Sequence, residues 1–188
     1  MESITIRPPR LEDAEPLEAM ITDHFGEDGS YTVELGIDDP DLHVLVAETD
    51  AELVGVMALE VHDDRAGVEE EMYLIDSLDP VAPADRYGLL EMGYVREAYT
   101  GRGIGSRLIE RLEEVGCERG VTVLVADSWF HGGPDSPEQL FVAHGYEVPH
   151  RHSIADETDG PCSKCAGECT CEAALAAKRL DPDAAAGG

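Results

Sequence analysis

The stretch Tyr99-Thr100-Gly101-Arg102-Gly103-Ile104-Gly105-Ser106-Arg107-Leu108 decides how this chain folds. Before it lies an apolar run at 89–94 that reads as a strand. After it, Ile104, Leu108, Ile109, Leu112, Val115 and Gly116 recur at the three-and-four spacing of one helix face. Three alternating glycines therefore stand where a strand hands over to a helix. Without Cβ atoms they let the backbone approach a ligand, and the free N–H groups of the first helical turn, with the positive end of the dipole behind them, suit a phosphate. An ordinary tight strand-to-helix turn is the competing reading.

The spacing excludes two nucleotide loops. A P-loop needs Gly-x-x-x-x-Gly-Lys-Ser/Thr, and no lysine follows; the dinucleotide fingerprint needs Gly-x-Gly-x-x-Gly, whereas Gly101, Gly103 and Gly105 are followed by Ser106, Arg107 and Leu108. Outward from the loop, residues 3–7 alternate like a strand, and 11–24 carry a first helix broken early by Pro16. Residues 43–48 and 52–61 form a hairpin around Thr49-Asp50-Ala51. The acidic, proline-containing segment 62–86 is expected to loop over the sheet with a short strand or turn at 68–75. Residues 121–127 read as a buried strand, 136–144 as a short helix, and 146–152 as the strand that closes the sheet.

The loop closely resembles the acyl-CoA-binding loop of the GNAT-type acyltransferases, Arg/Gln-x-x-Gly-x-Gly/Ala between the fourth strand and the following helix. Here it reads Thr100-Gly101-Arg102-Gly103-Ile104-Gly105, so the glycines match and Thr100 replaces the charged or amide residue with a hydroxyl. Loop, neighbours and element order agree over about the first 150 residues, one domain in size. The resemblance implies an α/β (α+β) GNAT fold with a mixed sheet of six to seven strands, splayed between the fourth and fifth and flanked by about four helices. It implies that the pantetheine of acetyl-CoA lies along Gly93, Tyr94 and Val95. The pyrophosphate would rest on Gly101, Arg102, Gly103, Ile104, Gly105 and Ser106, with Arg107 near the phosphorylated ribose. Glu91, on the fourth strand, matches the carboxylate that draws the proton from an attacking amine, and partial burial would raise its pKa usefully. The family's Phe-Tyr-x-x-x-Gly-Phe motif is met by Leu140-Phe141-Val142-Ala143-His144-Gly145-Tyr146, which puts Phe141 where a tyrosine would protonate the leaving thiolate. Pro134 stands where an asparagine is common. Ser136, His144, His131 or a water are the substitutes, and Tyr146 is expected to pack the strand end.

Charge is distributed unevenly. Asp and Glu number 41 against 13 Lys and Arg, a formal charge of −28, which repels a polyanionic cosubstrate. Yet Arg96, Arg102, Arg107, Arg111 and Arg119 cluster around the proposed phosphate site, although helical pairing, such as Arg111 with Glu114 and Arg107 with Glu110 or Glu114, also accounts for some of them. Such acidity with only Lys164 and Lys178 as lysines resembles proteins of organisms with molar cytoplasmic salt, haloarchaeal in style. At ~1 M ionic strength the Debye length is ~3 Å and self-repulsion is screened. No basic face is large enough for nucleic acid, and neither a secretory signal nor a membrane-spanning apolar run is present, so a cytoplasmic protein is expected.

A second signal is Cys162-Ser163-Lys164-Cys165-Ala166-Gly167-Glu168-Cys169-Thr170-Cys171. This C-x-x-C-x-x-x-C-x-C spacing lets one knuckle bring Cys162, Cys165, Cys169 and Cys171 around a tetrahedral ion, with zinc the default and iron allowed by ligand type. Two disulfides or a redox-responsive thiol tail compete, and His144, His150 and His152 are nearby substitutes. The chain thus divides into an acyltransferase domain at 1–153 and a Cys-rich tail at 154–188, with a helix at 172–180 and a frayed end. Cys117 reads as a small buried residue.

Two functions remain. One is an N-acetyltransferase moving an acetyl group from acetyl-CoA to a primary amine of a small molecule, peptide or protein. The other is a non-catalytic CoA-binding or metal-dependent interaction module. Partners implied are acetyl-CoA and an amine acceptor, with a second copy of the chain as a further candidate. Acidic segments at 24–39 and 62–86 would shape the acceptor pocket, but surface acidity for solubility explains them as well.

Overall fold

A computed structural model describes residues 3–25, 34–130, 137–155, 165 and 168–181. The elements, in chain order, are β1 (Thr5–Arg7), α1 (Ala14–Phe25), β2 (Leu42–Glu48), β3 (Leu53–His62), α2 (Arg65–Glu71), β4 (Tyr87–Val95), α3 (Ile104–Glu118), β5 (Val123–Phe130), α4 (Pro137–Ala143), β6 (Glu147–Ser153) and β7 (Glu172–Arg179). They build one seven-stranded mixed sheet in the order β1-β2-β3-β4-β5-β7-β6, with four α-helices on its faces. This is the GNAT fold expected from the loop.

Each face is covered because the strands alternate. Leu45, Ala47, Leu59, Leu90, Leu124 and Ala126 join the buried stripe of α3, made of Ile104, Leu108, Ile109 and Leu112. Residues one position along point the other way. Val44, Val46, Val56 and Ala58 meet Leu17, Met20 and Ile21 of α1, while Leu89, Val123 and Val125 meet Val68 of α2. Each fully buried aliphatic side chain stabilises the fold by about 1.5–3 kcal/mol, so the α3 stripe alone anchors the helix that follows the glycine loop. Arg7 ties β1 to its surroundings, its guanidinium 2.6 Å from Asp13 and 2.5 Å from Glu48. The Arg7 hydrogen bond holds the Asp13 carboxyl below its ordinary range.

Several expectations need correction. Pro16 does not break the first helix: it lies in the first turn of α1, where its missing N–H would have had no helical partner. Residues 65–71 are a helix, not a strand or turn. Asp64 caps it, accepting the Gly67 N–H at 2.9 Å. The largest correction is at 172–180, expected to be a helix, where β7 is a strand. It pairs antiparallel with β5 along Val123↔Arg179 to Phe130↔Glu172 and with β6 along Glu147↔Ala177 to Ser153↔Glu172. Ala-rich Glu172-Ala-Ala-Leu-Ala-Ala-Lys-Arg has high helix propensity, but two flanking ladders satisfy its backbone and Ala173 to Ala176 are buried. Residues beyond 153 therefore contribute an inner strand of the same sheet. Strand β6 does lie at the sheet edge.

Candidate functional site

The site begins where two strands part. β4 and β5 run parallel and pair only at Tyr87↔Val123, Gly88↔Leu124 and Leu89↔Val125. Beyond Leu89, β4 continues along β3, with Val56↔Tyr94 and Gly55↔Val95, while β5 continues along β7. The β4–β5 ladder ends at Leu89↔Val125, so the two strands have parted before Gly93 and Val95. A bulge in the β3–β4 ladder coincides with Met92, whose φ of 52° is the positive-φ value among described non-glycine residues.

At the end of β4 a 3-10 turn, Glu97–Tyr99, leads into the glycine loop. Gly101 and Gly103 have φ of 72° and 74°, in the left-handed region that L side chains avoid, and a Cβ at either would meet nothing within 4 Å. These two glycines are needed for backbone shape beside open space. Gly105 differs: its φ is not in that region, and a Cβ there would stand 2.9 Å from Leu140 Cδ2. Its smallness serves the packing of α3 against α4. Gly103 is the N-cap of α3 and supplies no side-chain cap, and the first helical bond runs from Arg107 N to Gly103 O. The N–H groups of the turn before it are left for an outside acceptor, under the positive end of a 15-residue helix.

The arginines sort themselves by partner. Arg111 pairs with Glu114 at 2.6 Å, as expected of a helical pair. Arg107 instead reaches across to the Ile4 carbonyl at 3.1 Å. Arg96 donates to Leu53 O at 2.8 Å and lies 3.5 Å from Glu52. Arg102 remains at the loop, exposed, stacked over Tyr99 at 4.6 Å and donating to Ala98 O at 3.0 Å.

On the opposite face, Glu91 follows Leu89 and Leu90 and so shares the α2 side with Leu89. Burial pushes its carboxyl up to about 7, and the negative charges of Glu60, Glu71, Asp127 and Glu34 add to the shift. Sequence reasoning missed two of these neighbours, Glu60 on β3 and Asp127 on β5. By alternation Glu60 shares a face with Ala58, which pairs with Glu91, and Asp127 shares one with Val125. The signal was parity: a carboxylate on the same face of three successive strands. Burial also raises the Glu60 carboxyl. Asp127 accepts the N–H groups of Tyr73 and Leu74 at 2.8 and 2.6 Å, tying the connection after α2 to β5.

Phe141 is buried in the α3-side core with its ring centroid 5.2 Å from that of Tyr146. Tyr146 is buried too, in the packing role expected of it, and burial pushes its hydroxyl far above the ordinary range. His144 is half-buried at the end of α4. His131, Pro134, Ser136 and Cys162 lie outside the described residues. Cys165, Cys169 and Cys171 come together in the β6–β7 connection, their sulfurs within 4.8 Å of one another. Cys117 is half-buried on α3, where burial raises its thiol pKa.

Strands that part after Leu89, a helix N-terminus behind a glycine loop and a half-buried carboxylate on β4 are thus the features that β4 and α3 present. The model of the acetyltransferase (GNAT) family matches residues 12–131, and the chain belongs to that family. Its fold is shared with an acetyltransferase of the GNAT family from Streptococcus pneumoniae (16% identity, 95% of this chain and 100% of that one, TM-score 0.66). It is also shared with NAA60 from Arabidopsis thaliana in complex with a bisubstrate analogue (16%, 96% and 99%, TM-score 0.64). A third is mosquito arylalkylamine N-acetyltransferase like 5b (15%, 95% and 100%, TM-score 0.65). At these identities the likeness is one of fold. A comparison with curated proteins gave no match. Among the described residues no helix is long and apolar enough to cross a membrane.

Proposed function

We propose that the chain is an N-acetyltransferase that moves an acetyl group from acetyl-CoA to a primary amine of a small molecule, peptide or protein. The observation that supports this most is that β4 parts from β5 after Leu89 and then leads, through the glycine turn, into an α3 N-terminus that no side chain caps. In this reading the diphosphate takes the N–H groups from Arg102 to Ser106, with Arg102 supplying charge. The pantetheine arm hydrogen-bonds to Gly93, Tyr94 and Val95 like an added strand. Arg107, held by the Ile4 carbonyl, must leave that bond to reach a ribose phosphate.

Glu91 is the general base. A carboxyl near neutrality is half ionised at pH 7 and well matched to take a proton from an ammonium acceptor. The amine lone pair attacks the thioester carbonyl, the C–S bond breaks, and the proton that the nitrogen sheds as the amide forms passes, directly or through water, to the departing thiolate of CoA. Glu60 and Asp127 keep the neighbourhood negative, which raises the Glu91 pKa and attracts a cationic amine. Phe141 supplies no proton to the leaving thiolate. That favours, as a second reading, a module that binds CoA without turnover. A reducing, cytoplasmic setting belongs to this reading, and the excess of carboxylates fits work there in molar salt.

A CoA titration in molar potassium chloride, followed by a thiol-release assay over a panel of amines, tests the proposal. Saturable turnover that falls in Glu91→Gln supports catalysis. Binding without turnover on every amine assigns the second reading.

A further inference from the structure

Three sulfurs converge in the β6–β7 connection with the spacing of ligands. Cys165 and Cys171 Sγ atoms stand 3.7 Å apart, and Cys169 completes a triangle whose members all lie within 4.8 Å. A disulfide needs about 2.05 Å. Two thiolates on one tetrahedral ion with bonds of ~2.3 Å stand ~3.8 Å apart.

We propose that Cys165, Cys169 and Cys171 hold one structural zinc ion that fastens the β6–β7 connection to the α2 side of the sheet. An all-sulfur donor set selects a soft ion, and zinc needs no redox partner to stay bound. The surroundings explain why an ion is useful there. Cys171 is buried beside the first residue of β7, and its carbonyl accepts the Ile154 N–H at 3.1 Å, closing the base of the connection. Cys165 and Cys169 are half-buried against a buried cluster that includes Val68, Ile75, Ile154 and Cys171, and Met72, Leu74 and Trp129 pack on the same cluster. Thiolates in apolar surroundings are costly without a cation. The same cluster adjoins the Tyr73 and Leu74 amides that Asp127 holds, so the ion would stiffen one wall beside the Glu91 face. Three thiolates leave one tetrahedral position. The experiment reads whether a fourth thiol of the chain or a water takes it.

The test uses the full chain, expressed with zinc in the medium and purified with a reductant but no chelator in molar potassium chloride. Metal analysis is expected to give one zinc per chain. Cobalt(II) exchanged into the protein is expected to show thiolate-to-metal charge transfer and the intense visible bands of a tetrahedral site. Cys165→Ser and Cys169→Ser alter half-buried positions that the fold tolerates better than Cys171, and each should abolish stoichiometric retention. Cys117→Ser, away from the cluster, should retain it. Loss in Cys162→Ser as well makes the site four-thiolate; retention there makes the fourth ligand water, and both agree with the proposal. Chelator should lower the melting midpoint of the wild type and leave Cys169→Ser unchanged. The proposal is overturned if folded wild-type protein takes up neither zinc nor cobalt, if iron is bound in place of zinc, if alkylation and mass analysis find a Cys165–Cys171 disulfide, or if zinc survives in the Cys165→Ser/Cys169→Ser double variant. These readouts do not depend on catalysis, so the site stands or falls separately from the proposed activity.

Discussion

The glycine loop at 99–106 and the segment at 172–179 were both read from short patterns, and they came out oppositely. The loop is a local device. Its left-handed glycines and the helix start that follows are fixed by residues a few positions apart, so their sequence spacing is their structure. The last strand is not local. Its Ala-rich composition favours a helix, and only the distant edges of β5 and β6, each with a ladder to satisfy, make it a strand. Local chemistry is legible from one stretch of chain; pairing across the sheet is not.

The comparison breaks most violently by truncation. A chain ending at residue 155 removes β7 and leaves β5 without its antiparallel partner over eight residues. It is expected to be insoluble or unfolded by circular dichroism in molar salt. A native-like melt from it would make the C-terminal segment dispensable.

A smaller effect, about 10²-fold in kcat/KM, is expected for Glu91→Gln on an amine that the wild type acetylates. In the wild type, kcat/KM should rise with pH through about 7 as the carboxyl ionises, and the variant should lose that limb. The stability sign follows from the same shift. Folding favours the neutral carboxyl, so the contribution of Glu91 is full below the ordinary glutamate range and is lost as pH rises through about 7. Glu91→Gln should therefore melt higher than wild type at pH 8 and equally at pH 4. A melting difference largest at pH 4 would contradict the burial of this group.

Sharper still is a contrast inside the loop itself. Gly103→Ala places a side chain at φ 74°, costing about 1–2 kcal/mol, whereas Gly105→Ala meets Leu140 at 2.9 Å, in a flexible side chain that can give way. Thermal melts should show the Gly105 loss shrinking when Leu140 is shortened to Ala, and the Gly103 loss unchanged. The smallest expected effect links the two regions. Lys178 of β7 reaches both carboxylate oxygens of Glu113 on α3 at 2.7 Å, and a double-mutant cycle through Lys178→Met and Glu113→Gln should give a coupling of roughly 1 kcal/mol, less in molar salt.

What the sequence showed of the site follows the same division. The loop, the strand before it and Glu91 were named from spacing and resemblance, and the structure has a strand, a left-handed glycine turn and a helix start at those positions. Glu60 and Asp127 were not named, because their relation to Glu91 exists only across strand pairs. The bulge at Met92 was equally hidden, since nothing in Leu-Glu-Met-Gly distinguishes a regular strand from one with an extra residue. Pro16 misled for a related reason: its cost depends on its distance from a helix start, and the 3-10 turn at Leu11–Asp13 moved that start forward.

The most direct measurement is a calorimetric titration of CoA into the full chain in molar potassium chloride, run beside Gly103→Val at a temperature where both are folded. The account predicts saturable binding to the wild type with one site per chain and at least about tenfold weaker binding to the variant, whose side chain stands where the diphosphate should lie. Equal affinity in the two proteins, or no binding to the wild type, would contradict it.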